Sequence, residues 1–187
     1  MIQQPRGYSL TNMKNALAIL ALLVCACSVF GNGTDELHVS VVLTTGEHSK
    51  DSSSETTTIT VERDAIVWER TFSGRRSEKS PLRKKFRLSP ADKRSLLKLI
   101  RSNNLLVTDS IEIPRDGSNF RYFEISVDLT LGEKKGAINI SGPRTAVKVK
   151  EEKLYQNTLT LVKELYRIMN SQNKSMRFDE LILEPIR

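Results

Sequence analysis

In the stretch FEISVDLTL, residues 123–131, five apolar side chains (Phe123, Ile125, Val127, Leu129 and Leu131) alternate with Glu124, Ser126, Asp128 and Thr130. Side chains of a strand point to opposite faces in turn, so this is a strand with one dry face and one wet face. The dry face has to be covered by something. The same reading applies to residues 37–44 (LHVSVVLT), which alternate and are rich in β-branched residues. Residues 56–61 (TTTITV) form a strand of high β propensity, Glu62, Arg63 and Asp64 a turn, and residues 65–72 (AIVWERTF) the returning strand. A second hairpin turns at residues 132–136 (GEKKG) and returns through 137–141, with Ile138 and Ile140 as core candidates.

Two helices supply the cover. Ser89, Pro90 and Asp92 form a start signal: an N-cap serine, a proline in the first turn and an acid three residues after the cap. Leu96, Leu97 and Ile100 follow at helical spacing and Asn103-Asn104 closes the helix, which spans residues 90–102. The second helix is expected over 150–169. Leu154, Thr158, Leu161, Leu165 and Ile168 mark its apolar face, and Glu151 and Glu152 its first turn, where the helix dipole favours acids. Hairpins imply antiparallel pairing, and amphipathic helices need a sheet face. The fold class is therefore α+β, an antiparallel sheet of about five strands with two helices on one face. Leu96, Leu97, Ile100, Ile125, Val127, Leu129, Leu161 and Leu165 are expected to be buried together. Truncating Leu97 or Leu161 to alanine should then cost about 2–5 kcal/mol. The tail holds Phe178, Leu181, Leu183 and Ile186 and reads as a short edge strand.

The N-terminal stretch sets the compartment. Residues 16–24 are all apolar, Lys14 stands before them and small residues follow. A charged start, a short apolar core and a small-residue exit are the pattern of a secretory signal, and the run is short of the ~20 residues that span a bilayer. Residues 1–31 are read as that signal, with Met13 as the suspected true start and at least residues 1–26 absent from the mature protein. Two exits stay open. One is after Gly31; the other is at Cys27, because Val24-Cys25-Ala26-Cys27 resembles a bacterial lipobox. Both cysteines, Cys25 and Cys27, lie inside the signal, so a disulfide framework, a zinc-thiolate site and a thiol nucleophile are excluded downstream. Removal of 1–31 takes away Arg6 and Lys14 and no acid, leaving 27 cations against 22 acids in 156 residues, a net +5. Residues 32–36 read as a tether and 37–187 as a single domain.

The signal, a hairpin, the LSPADxxxLLKLI helix with the NNLL that follows it (residues 88–106), a second hairpin and a closing helix together resemble small uncharacterised bacterial exported proteins and lipoproteins. Those motifs pack a core. The resemblance implies export and an α+β domain, and it carries over no functional residue.

Chemistry is sparse in the remaining sequence. The two histidines, His38 and His48, lack the spacing of a zinc site, and no nucleophile elbow, P-loop or dinucleotide fingerprint is present. Glu124 and Asp128 share the wet face of one strand about 13 Å apart along the chain, farther than the about 5–9.5 Å of paired catalytic carboxylates unless the side chains bend together, and they read as surface acids. Three Asn-x-Ser/Thr triplets matter only in a eukaryotic secretory pathway. The feature that stands out is basic. From Arg70 to Arg87 there are eight cations against Glu78 alone. Arg75, Arg76, Lys79, Arg83, Lys84, Lys85 and Arg87 are candidates for contact with a polyanion, or else they decorate a solvated loop of residues 74–87. Nucleic acid is disfavoured by export and by the shortage of stacking aromatics, with only Phe72 and Phe86 nearby. The expectation is a non-enzymatic, extracytoplasmic binding or scaffolding domain without a cofactor. It would meet an anionic envelope surface or an envelope protein, and touch the membrane only through the signal or a lipid on Cys27. The alternatives are an inhibitor or accessory subunit that presents residues 46–55 or 74–87 to an envelope enzyme, and a hydrolase with an unfamiliar site.

Overall fold

The computed structural model of the protein describes residues 36–47, 53–74, 79–112, 121–143 and 152–176. All of them belong to one compact unit, Glu36–Arg187. Among the described residues seven strands form one sheet in the order β4-β3-β2-β1-β6-β7-β5. They are β1 (Leu37–Glu47), β2 (Ser53–Glu62), β3 (Ala65–Gly74), β4 (Leu82–Arg87), β5 (Thr108–Glu112), β6 (Arg121–Leu131) and β7 (Lys134–Pro143). The helices among the described residues are α1 (Pro90–Ser102) and α2 (Lys153–Gln172). The architecture is α+β with both helices on one face, as the alternation implies. The expected five antiparallel strands are corrected to seven in a mixed sheet, because β5 runs parallel to β7.

Both strands missing from that expectation are edges. β4 (LRKKFR) has one buried side chain, Phe86, and β5 (TDSIE) has only the half-buried Ile111. An edge strand can leave most of its side chains in water, so its apolar period fades. The hairpin turns are tighter than expected. Arg63 and Asp64 alone join β2 to β3, with Arg63 in the left-handed region at φ 52°. Gly132 and Glu133 join β6 to β7, and Gly132 takes φ 59°, which costs a glycine little. Lys134, Lys135 and Gly136, expected in the turn, are already strand.

The dry faces meet in register. Val41 of β1 stands between Ile59 of β2 and Val127 of β6, and each is at most 1% exposed. Leu96 and Ile100 of α1 and Leu161, Leu165 and Ile168 of α2 close over this layer. Leu97 is the exception among the expected core residues: it is only partly buried, at the outer side of α1.

The caps explain where α1 begins and ends. The Ser89 hydroxyl accepts from the Asp92 amide and donates to the Asp92 carboxylate. At the other end the Leu105 amide donates to the Ile100 carbonyl and the Asn104 amide to the Arg101 carbonyl, with Asn104 at φ 50°. That is a Schellman closure, and the buried Leu105 supplies its apolar contact. α2 starts later than expected, at Lys153. Glu152 is its N-cap residue and makes no side-chain capping bond, so the expected acidic first turn is not observed. Lys150 and Glu151 lie outside the described residues, as does the tail from 177 to 187.

α1 and α2 lie antiparallel. The Asn157 side chain near the start of α2 donates to the Asn103 carbonyl at the end of α1. Near the opposite ends Arg167 bonds Asp92 at 3.1 Å and Glu164 at 2.7 Å, and Ser95 donates to Glu164. Hydrogen bonds from Ser89 and from Arg167 hold the Asp92 carboxyl below its ordinary 3.8. Arg167 and then Ser95 hold Glu164 below its ordinary 4.5. Both folded values are depressed, so the contribution is complete above the ordinary carboxylate range and is lost as pH falls through the folded values. The melting temperature of Arg167→Gln should therefore lie below that of the wild type at about pH 6, with the gap closing towards about pH 3. A gap independent of pH would mean that Arg167 acts by packing alone.

Candidate binding surface

The face of the sheet opposite the helices is uncovered by any described element and is mostly polar, with Val42 and Val67 half-buried in it. Ser40, Thr44, Thr56, Thr58, Thr60 and Ser126 occupy its centre at half exposure. Across the strands the charge changes. Glu124 and Asp128 stand exposed on β6, and Arg83, Lys85 and Arg87 stand exposed on β4. This separation follows from strand order. Residues distant in sequence become neighbours in one row, as with Lys85, Val67, Thr60, Ser40 and Asp128.

The basic segment is thus corrected from a loop to a strand over residues 82–87. Pro81 precedes β4 and does not interrupt it, consistent with the tolerance of edge strands for proline at their start. The alternation sorts the cations. Arg83, Lys85 and Arg87 point to the open face, whereas Lys84 points to the helix side. There its Nζ bonds the Ser175 hydroxyl at 3.3 Å and approaches the Met176 sulfur at 3.8 Å. Lys84 therefore leaves the expected cationic group and acts as a stem over the buried Met176. Arg70, also in that basic run, belongs to the helix side too. Its guanidinium lies 5.1 Å over the Trp68 ring, and its Nε is 3.2 Å from Glu55 Oε1, off the angle of a hydrogen bond. Lys79 is exposed, with its Nζ 5.3 Å from the Phe72 ring centre. Arg75, Arg76 and Cys27 lie outside the described residues.

Of the three outward cations, Arg83 pairs with Glu69 at 2.8 Å, an exposed contact of little energetic weight. Lys85 has no carboxylate partner among the described residues. It also lines a cleft of about 630 Å³ at the end of the open face, together with Glu36, His38, Glu62, Arg63 and Asp64. His38 is half-buried there, opposite Glu62 on β2 and Thr130 on β6, while His48 lies outside the described residues. The acids Glu36, Glu62 and Asp64 and the cations Arg63 and Lys85 line it together. Among the described residues no group of three or more His, Cys, Asp or Glu side chains could hold a metal ion. Among them, too, no helix is long and apolar enough to cross a membrane.

Two features of this surface escape sequence reasoning. Gln172 at the end of α2 reaches the β4 edge: its side-chain oxygen accepts from the Arg87 amide at 2.9 Å and its nitrogen donates to the Arg87 carbonyl at 2.7 Å. No local signal marks a glutamine for that role. Leu82, 48% exposed, is the one exposed large apolar side chain among the described residues, and it opens β4. Its place directly after Pro81 and before the cations was the available hint. No protein-family model matches the chain, and no curated protein is significantly similar to it.

Proposed function

We propose that the chain is an exported, non-enzymatic binding domain of the cell envelope that holds an anionic partner along β4. The observation that carries this reading is the alignment of Arg83, Lys85 and Arg87 on one exposed face of one edge strand. Three cations at two-residue spacing sit about 7 Å apart in a row, a pattern matched by an extended anion and not by a single small one. Export rests on the apolar residues 16–24 behind Lys14, and a lipid on Cys27 would tether the domain to the membrane. The accessory-subunit reading uses the same surface, with β4 in place of a loop.

The test is chromatography of the full chain on immobilised poly-glutamate. It should be retained at low salt and released as the Debye length falls below about 8 Å. The triple variant Arg83→Gln, Lys85→Gln, Arg87→Gln should elute at clearly lower salt than a control variant with exposed Arg94, Lys98 and Lys153 changed to Gln, which has the same net charge. Equal elution of the two variants would refute the reading, because it would leave only the overall charge to explain retention.

A further inference from the structure

The register of β4 shows which of its backbone groups are spent. The Leu88 amide donates to the Asp64 carbonyl at 2.7 Å, which makes that opposed pair a hydrogen-bonded one. In an antiparallel ladder such pairs alternate, so Phe86 and Lys84 also turn their backbone groups toward β3, and Arg87, Lys85 and Arg83 turn theirs away. The two bonds from Gln172 to Arg87 agree, since they come from outside the sheet. Gln172 thereby imitates one residue of a neighbouring strand. At Lys85 and Arg83 the outward N–H and C=O groups have no partner among the described residues. Among the described residues the edge is closed at one end and open along the rest.

We propose that β4 accepts an extended acidic segment of a partner protein as an added strand, paired through the backbone of Arg83 and Lys85. This rests on the anionic-partner reading above and names the partner. The residues with free backbone groups are the same ones whose side chains stand on the open face. An added strand with Glu or Asp at alternate positions would bring two acids about 5 Å from Arg83 and Lys85 across the ladder, while its main chain completes up to four hydrogen bonds. On the other face the exposed Leu82 gives an apolar residue of the partner something to cover. A second copy of this chain does not fit, because β4 against β4 sets cation opposite cation, which is how edge strands are kept from pairing with themselves. A flat anionic membrane fits less well. The open face that would lie on it also carries Glu62, Glu69, Glu124 and Asp128, whereas a strand laid along the edge meets the cations first.

The experiment titrates the full chain with a blocked peptide, Thr-Glu-Val-Glu-Val-Glu-Thr. Its partners are the same peptide N-methylated at alternate backbone amides, in two frames so that one frame blocks the bonding edge, and vesicles of phosphatidylglycerol and phosphatidylethanolamine. The peptide should bind. One N-methylated frame should bind at least tenfold more weakly at unchanged peptide charge, and the other should bind like the parent. Lys85→Pro, which removes an outward N–H that no described residue uses, should weaken the peptide at least threefold more than Lys85→Gln does. Equal binding of all peptide forms overturns strand addition and leaves a purely electrostatic contact, so the anionic-partner reading survives. Vesicle binding without peptide binding overturns strand addition in favour of a lipid surface. Binding to neither peptide nor vesicles overturns both readings. The methylated peptides decide the matter with wild-type protein, even if Lys85→Pro fails to fold.

Discussion

Leu161→Ala is expected to lower the free energy of unfolding by about 2–5 kcal/mol. Leu161 is fully buried on α2, in the layer that closes over the dry face of the sheet. Replacing its isobutyl group by a methyl takes away the transfer energy of three carbons and leaves a cavity bounded by the sheet on one side and α2 on the other. Neither wall relaxes easily, because seven hydrogen-bonded strands form the first and a 20-residue helix the second. Leu97→Ala provides the contrast. Leu97 sits beside Leu96 in sequence but is only partly buried, at the margin of the core next to Arg94, Lys98 and Arg101, so its truncation should cost clearly less, about 1 kcal/mol. Urea midpoints of the two variants at unchanged m-value measure the difference. Similar losses at both positions would show that α1 is rotated relative to its placement here.

Gly136→Ala is expected to cost about 1–3 kcal/mol, more than its gain in strand propensity can offset, and Gly136→Val more still. A Cβ at this position of β7 would lie 2.7 Å from the Leu105 carbonyl oxygen and 2.9 Å from the Leu106 Cα. Both are backbone atoms of the connection from α1 to β5, and they cannot swing aside as a side chain would. The same connection delivers the Val107 carbonyl to the Ala137 amide at 2.8 Å, the bond that begins the parallel pairing of β5 with β7. The substitution should therefore lift β5 from the sheet before it unfolds the molecule. Hydrogen exchange at the Ala137 amide reads this directly. Full protection of Ala137 in Gly136→Ala, with an unchanged melting temperature, would show that the connection does not cross this glycine.

What the sequence determined by itself is local. The α1 boundaries follow from Ser89, Pro90 and Asp92 at one end and Asn103-Asn104 at the other, because capping is settled within a few residues. β1 and β6 follow from alternation, and so do their buried faces, since period two is a property of the strand alone, while β2, β3 and β7 follow from β propensity and the turns beside them. From these the α+β class and the one-sided helical cover could be read. What only the tertiary structure decided is the rest of the sheet and the whole candidate site. β4 and β5 are edges whose residues stay in water, so they lack the apolar period that betrays an inner strand. The parallel course of β5 depends on a connection crossing Gly136, a contact 30 residues away from Leu106 in the chain. The basic run was visible, but not its division into Arg83, Lys85 and Arg87 on one face and Lys84 and Arg70 on the other, which requires the strand to exist and its register to be set by β3. Gln172 meets Arg87 across 85 positions. No short-range pattern carries such a contact, because the free energy that fixes it comes from packing α2 on the sheet and not from the residues on either side of the glutamine.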